Sequence, residues 1–231
     1  MIFPQIVRVK MNKLLTTVFA FAAVSIAGIG SAQDIVGDAK VGSAKVDMCI
    51  GCHSIVGYQA SFPEVHKVPK ISGQGAKYIV AALNAYKKGE RKHPTMRGIS
   101  DSLSDQDMAD VAAYYSASGA VEGAAPPAKP VAAPTAQVAA LLTKGACVSC
   151  HGDNFSKPID PTYPKIAGQH ADYLFVALKS YKTEGNPLVG RSNAVMGGVA
   201  KQFSNAELKA MAGYMNSLEG ELKVVPQSRF R

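Results

Sequence analysis

All four cysteines of the 231-residue chain lie in two pentapeptides of the pattern Cys-x-x-Cys-His. The first reads CIGCH at Cys49–His53 and the second reads CVSCH at Cys147–His151. This spacing is typical of c-type haem attachment, in which two thiols add to the vinyl groups of one porphyrin. The histidine that follows binds the haem iron as the proximal ligand. The sequence therefore predicts two covalently bound haem c groups, attached at Cys49, Cys52, Cys147 and Cys150 and ligated by His53 and His151.

Three other kinds of site also use closely spaced cysteines. Two Cys-x-x-Cys pairs could form one structural zinc site. They could be thioredoxin-like redox pairs, although no βαβ pattern surrounds them. They could also be disulfides of an exported protein. None of these alternatives explains why a histidine follows the second cysteine in both motifs, so haem attachment is the favoured interpretation.

The second axial iron ligand is predicted from the methionines, since methionine commonly fills this position in c-type cytochromes and raises the potential. Met96 and Met196 stand 100 residues apart, both in glycine- and polar-rich stretches that we expect to be loops. They are the predicted axial ligands. The other methionines beyond residue 32 are assigned to core packing (Met108, Met211 and Met215) or lie too close to a cysteine to reach the far face of a haem (Met48). The unrepeated histidines His66, His93 and His170 are predicted to be solvated surface residues.

The mature chain is an internal repeat. The block Pro69–Gln74 (PKISGQ) recurs as Pro164–Gln169 (PKIAGQ), and tyrosines and serines downstream recur at similar offsets. Two copies of one domain explain this pattern. We predict domains at 37–119 and 136–219, a tail at 220–231, and a Pro/Ala-rich linker at 120–135, whose four prolines exclude a continuous helix.

Each copy has helical patterns and no convincing strand alternation, so the predicted fold is all-α. Helices are expected over 37–52 and 136–150, leading into the cysteine motifs, and over 76–88 and 171–182, where apolar residues follow one helical face. In each copy a serine, Ser104 or Ser204, precedes an acidic residue by three positions. This spacing predicts a capping box at the start of the last helix.

Residues 1–32 are predicted to be a cleaved secretory signal peptide. A basic segment precedes a mostly apolar run of about 16 residues and a Gly-Ser-Ala end, as in exported precursors. An uncleaved anchor is the alternative, although the run is short against the ~20 residues that span a bilayer. Translation could also start at Met11. Export predicts a periplasmic protein.

Composition excludes two function classes. Hydrophobic residues make up 47% of the chain, enough for a packed core, which excludes wholesale disorder. The formal charge of +8 includes the basic residues of the signal peptide, and haem propionates would offset much of the remainder. Because no dense Lys/Arg run with interleaved aromatics is present, nucleic-acid binding is not predicted.

The two Cys-x-x-Cys-His motifs, the repeated Pro-Lys-Ile-x-Gly-Gln block and the paired methionines resemble the dihaem cytochromes c4. This resemblance covers about residues 37–219 and implies two tandem class I cytochrome c domains in the periplasm. It implies an electron carrier of respiratory chains, often a donor to a haem–copper terminal oxidase. It also implies that the carbonyl groups of Pro69 and Pro164 accept hydrogen bonds from His53 and His151.

Two other functions are weighed against the carrier. A dihaem peroxidase needs an open iron site, which the paired methionines oppose, so we predict no enzyme activity and no small-molecule substrate. An electron-accepting subunit of a periplasmic dehydrogenase remains an alternative. The expected partners are redox proteins, namely a terminal oxidase, a quinol–cytochrome c reductase or a dehydrogenase, through which the protein would associate with the membrane.

Overall fold

The computed structural model describes residues 35–120 and 132–228, which form two successive sets of five helices. The first set is α1 (Ala39–Ser43), α2 (Asp47–His53), α3 (Ala76–Lys87), α4 (Pro94–Asp101) and α5 (Asp105–Ala117). The second set is α6 (Ala136–Lys144), α7 (Cys147–His151), α8 (Ala171–Ser180), α9 (Ala194–Ala200) and α10 (Asn205–Ser217). Within these described ranges, no helix is long and apolar enough to cross a membrane.

The prediction of a signal peptide falls on residues that lie outside the described ranges, as does most of the predicted linker. The fold is mostly helical, as predicted. The described residues also form four strands of two residues each, which are too short for the alternation of a strand to be recognised. These strands are β1 (Gln59–Ala60), β2 (His66–Lys67), β3 (Arg91–Lys92) and β4 (Gly190–Arg191).

We expected a continuous helix to lead into each cysteine motif, but the structure shows that both helices are broken. α1 ends at Ser43 and the motif helix α2 begins at Asp47, while α6 ends at Lys144 and α7 begins at Cys147. We call the residues around the first five helices the first half and those around the last five the second half. In the second half Ala146 takes a left-handed conformation with φ 48°. The chain therefore changes direction just before each motif, and a short separate helix carries the cysteines and the histidine.

The later helices match the prediction closely. α3 and α8 begin where the tyrosine-containing patterns begin, and both capping boxes are present. The hydroxyl of Ser104 accepts from the backbone of Asp107 at 3.1 Å, and the Asp107 carboxylate accepts from the Ser104 backbone at 3.0 Å. Ser204 and Glu207 make the same pair of bonds. These caps fix the start of α5 and α10, the helices against which each core is packed.

α1 crosses α5 so closely that only glycine fits at the contact. A Cβ atom added to Gly42 would lie 2.1 Å from the carbonyl oxygen of Asp110. Next to this crossing, Lys45 lies 2.6 Å from Asp107 and 2.7 Å from the buried Asp110. The first half is therefore held together by a close backbone approach and an ion pair that flanks it.

We expect Gly42→Ala to lower the free energy of unfolding by about 2 kcal/mol, because the added methyl group overpacks a contact with rigid backbone. Gly213→Ala is the matched control, because Gly213 is exposed on α10 and a Cβ atom added there would meet no atom within 4 Å. That control should gain about 0.5–1 kcal/mol from helix propensity. Guanidinium unfolding of both variants measures the difference, and equal stability of the two would contradict the close crossing.

The repeated Pro-Lys-Ile-x-Gly-Gln block forms the contact between the two halves. The side chain of Gln74 donates to the carbonyl of Lys165 at 3.0 Å and accepts from its amide at 2.9 Å. Gln169 makes the reciprocal pair with Lys70, at 2.8 and 3.0 Å. Both glutamines are 3% exposed. Each copy of the block thus binds the backbone of the other copy, which relates the halves by an approximate twofold symmetry.

The chain beyond α10 returns to the first half. The amide of Lys223 donates to the carbonyl of Ser72 at 3.0 Å, and the side chain of Gln227 donates to the Tyr114 hydroxyl at 3.2 Å. Leu222 is 3% exposed. The segment that we expected to be a simple tail therefore adds to the contact between the halves.

Candidate haem sites

The eight residues predicted as haem attachments and iron ligands line one cavity of about 650 Å³ that extends through both halves. They are Cys49, Cys52, His53 and Met96 in the first half and Cys147, Cys150, His151 and Met196 in the second. The rest of the wall includes apolar side chains of the core, among them Leu83, Val111, Leu174 and Phe203. In each half the structure brings together a pair of thiols, an imidazole and a thioether around apolar space.

Both motif histidines are oriented by a proline carbonyl. The Nδ1–H of His53 donates to Pro69 at 2.9 Å, and the Nδ1–H of His151 donates to Pro164 at 3.1 Å. This confirms the hydrogen bonds that the resemblance implied. Because Nδ1 carries the hydrogen, Nε2 is left as the nitrogen that can bind a metal. Burial lowers the pKa of both histidines, against the raising effect of the proline bonds, so the imidazoles are neutral as an iron ligand requires.

We expected Met96 and Met196 to lie in loops. They lie instead in the first turns of α4 and α9. The amide of Met96 donates to the ring of the N-cap residue His93 at 3.4 Å, and the amide of Met196 donates to the side chain of the N-cap residue Asn193 at 2.9 Å. These helices have only eight and seven residues, too few to show an apolar stripe. The proline at the start of α4 and the asparagine cap of α9 were the signals available in the sequence.

The prediction of surface roles for the unrepeated histidines is wrong for His66. It is 5% exposed, and its Nδ1–H donates to the carbonyl of Glu64 at 2.8 Å. His93 is half-buried and caps α4, and His170 is half-buried before α8. Sequence reasoning missed His66 because the burial of this side chain depends on α8 of the other half. The ring centre of Tyr173, on α8, lies 6.2 Å from the ring centre of His66.

The remaining methionines lie where the repeat comparison put them. Met108, Met211 and Met215 are at most 5% exposed and belong to the cores of the two halves. Met48 is 54% exposed next to Cys49. The positions of the methionines in the repeat separated ligand candidates from core residues, and the packing is consistent with that separation.

The donor set fits haem c better than the other sites considered. All four cysteines are unpaired, so none forms a disulfide. Among residues 35–120 and 132–228, no three Cys, His, Asp or Glu side chains cluster as a zinc site would require. Burial, with the nearby charges of Cys52 and Asp47, raises the pKa of the Cys49 thiol to about 11, and burial also raises that of Cys147. A pair of thiols beside apolar space in each half suits thioether bonds to a porphyrin.

Comparison with known proteins gives a consistent result. The family model described as Cytochrome c matches residues 39–117 and 135–219. Cytochrome c4 of Azotobacter vinelandii is 32% identical over 90% of this chain and 100% of its own length. The crystal structure of reduced recombinant cytochrome c4 from Pseudomonas stutzeri superimposes with a TM-score of 0.55 and 30% identity, over 80% of this chain and all of that one.

A further relative is named a thiosulfate dehydrogenase electron acceptor. This protein, from Stutzerimonas stutzeri, is 31% identical over 72% of this chain and 76% of its own length. The similarity therefore extends to a redox partner of an enzyme as well as to the cytochromes c4.

Proposed function

Because the chain belongs to the cytochrome c family, as a cytochrome c4 with two domains and two covalently bound haem c groups, we propose a specific residue set for each haem. Cys49 and Cys52 attach the first haem, and His53 and Met96 bind its iron. The second haem has the equivalent set, Cys147, Cys150, His151 and Met196. The observation that carries this assignment is that all eight line one cavity, with each histidine held by a proline carbonyl.

As a cytochrome c4 the protein is an electron carrier. When bound, each haem supplies a one-electron redox centre. The residues proposed here would hold that centre without offering it to a substrate, because a histidine and a methionine would both bind its iron. Burial keeps each imidazole neutral, and the proline bonds hold each ring in one orientation. We therefore propose electron transfer without catalysis.

The finer role proposed is that of a periplasmic carrier that donates electrons to a haem–copper terminal oxidase. The predicted signal peptide at residues 1–32 supports export, since its basic segment, apolar run and small-residue end follow the pattern of secreted precursors. In this role a quinol–cytochrome c reductase or a dehydrogenase would supply the electrons.

A second candidate role is that of electron acceptor bound to a dehydrogenase. The relative from Stutzerimonas stutzeri supports it, because that protein is named as the acceptor of a thiosulfate dehydrogenase. The redox chemistry would be unchanged, and only the lifetime of the complex with the partner would differ.

Stopped-flow oxidation of the reduced full-length protein by membranes that contain a haem–copper oxidase tests the carrier role. We expect oxidation within seconds and its loss when cyanide blocks the oxidase. Light scattering of the protein as isolated from a periplasmic extract should give the mass of a free chain. A protein that stays in a complex with a dehydrogenase, and that the membranes do not oxidise, would support the second role instead.

A further inference from the structure

A buried tyrosine of the first half carries a hydroxyl group that the described residues leave without a hydrogen-bond partner. Tyr115 lies on α5, is 2% exposed, and lines the cavity that holds the proposed haem residues. Its hydroxyl oxygen is buried, and no atom of residues 35–120 or 132–228 forms a hydrogen bond with it. Since buried hydroxyl groups of folded proteins almost always have a partner, this one points to a group that the polypeptide does not itself provide.

The polar groups that act on this hydroxyl place it at the edge of the cavity where the first haem is attached. Burial raises the pKa of Tyr115, and the nearby charge of Cys49 raises it further, while Ser54 has a smaller opposing effect. Cys49 packs against the same core cluster as Tyr115. The hydroxyl therefore keeps its hydrogen and is a potential donor beside the Cys49 sulfur.

The second half has no equivalent donor. At the offset of 100 residues that relates the last helices, Tyr115 corresponds to Met215 of α10. Met215 is 5% exposed and lines the cavity from the same position of the repeat. Its thioether can accept a weak hydrogen bond but has no hydrogen to donate. Ser54 likewise corresponds to a residue without a hydroxyl, Gly152, at the offset of 98 that relates the two motifs. The surroundings of the two proposed haems therefore differ at this point.

We propose that the Tyr115 hydroxyl donates a hydrogen bond to the sulfur atom that joins Cys49 to the first haem, and that this bond stabilises the ferrous state of that haem alone. A thioether sulfur is a weak acceptor, but a hydrogen bond is electrostatically stronger in a buried site than in water. The positive end of the hydroxyl dipole faces the haem, which favours the added electron, and hydrogen bonds of this kind adjust haem potentials. This inference rests on the first haem of the proposed function. It assigns a tuning role to a residue that neither attaches the haem nor binds its iron.

Tyr115→Phe removes only the hydroxyl and should lower the potential of one haem. We expect the ferrous–ferric equilibrium of the first haem to shift about threefold toward the ferric state, which is about 28 mV. The equilibrium of the second haem should change by less than about 1.5-fold. Tyr115→Met, which introduces the residue of the second half, should give the same result.

Tyr114→Phe is the matched control, because it removes a hydroxyl from the next residue of the same helix. The Tyr114 hydroxyl accepts a hydrogen bond from Gln227 at 3.2 Å, and its side chain is not part of the cavity wall. Both potentials should therefore stay within about 1.5-fold of the wild-type equilibrium. Redox titration of the holoproteins measures the potentials after the haem content of each variant has been checked. Repeating the titration with Met196→Ala added identifies the wave of the second haem, since that wave should move.

Resonance Raman spectra in H₂O and D₂O test the hydrogen bond itself through the C–S stretching bands of the thioethers. Deuteration of the hydroxyl should shift one band in the wild-type protein and in Tyr114→Phe, but not in Tyr115→Phe. If Tyr115→Phe binds two haems and the potential of the first is unchanged, or both potentials fall equally, the proposal is wrong. If the Tyr115 variants do not retain both haems, the wild-type spectra decide, because C–S bands that do not respond to D₂O would overturn the proposal and a shifted band would support it. A wild-type protein with fewer than two haems would instead contradict the proposed function.

Discussion

Met96→Ala and Met196→Ala should each remove about half of the weak far-red absorption that sulfur-to-iron coordination gives in the oxidised protein. A thioether ligand also raises the haem potential, so each substitution should lower the potential of one haem. The vacated axial position should admit carbon monoxide in the reduced state. Absorption spectra, redox titration and carbon monoxide binding measure these three effects on the same samples.

Met108→Leu and Met211→Leu are the controls for this experiment. Both methionines are buried in a core, at 0% and 5% exposure, and leucine conserves most of their volume. The far-red absorption should therefore remain complete in both. If a core variant lost it while Met96→Ala kept it, the assignment of ligands by repeat register would be wrong.

Changing both Cys147 and Cys150 to Ser should reduce the covalently bound haem from two per chain to one. The thioether bonds retain the porphyrin in a domain of only about 80 residues, which has little core of its own to hold it. Without the bonds, we expect the second half to lose its haem and much of its helix content. Extraction with acid–acetone, followed by a haem assay on the remaining polypeptide and circular dichroism, measures both losses.

Ser149→Ala is the matched control, because it changes the same short helix without removing a thiol. It should keep two haems that resist extraction. Wild-type protein with one covalent haem or none, or a double cysteine variant that keeps two, would contradict the assignment of one haem to each motif.

Local signals in the sequence predicted the elements that depend on neighbouring residues. The capping boxes at Ser104 and Ser204 formed as expected, because a cap is decided within one turn of helix. The same holds for α3, where the apolar face is continuous. The breaks before α2 and α7 were missed, since a helical pattern runs through them and only packing forces the change of direction.

The sequence by itself determined the chemistry of this protein: four thiols in two Cys-x-x-Cys-His motifs, their register in a repeat, and the two methionines that share it. Residue type and spacing are enough for this, because covalent attachment needs only a short segment of chain. The tertiary structure alone decided the contacts between the halves, such as the exchange of bonds by Gln74 and Gln169, the return of the tail, and the pairing of Arg91 with Arg191. These contacts join residues 91 or more positions apart, and no local pattern encodes a hydrogen bond whose partner is positioned only when two domains pack together.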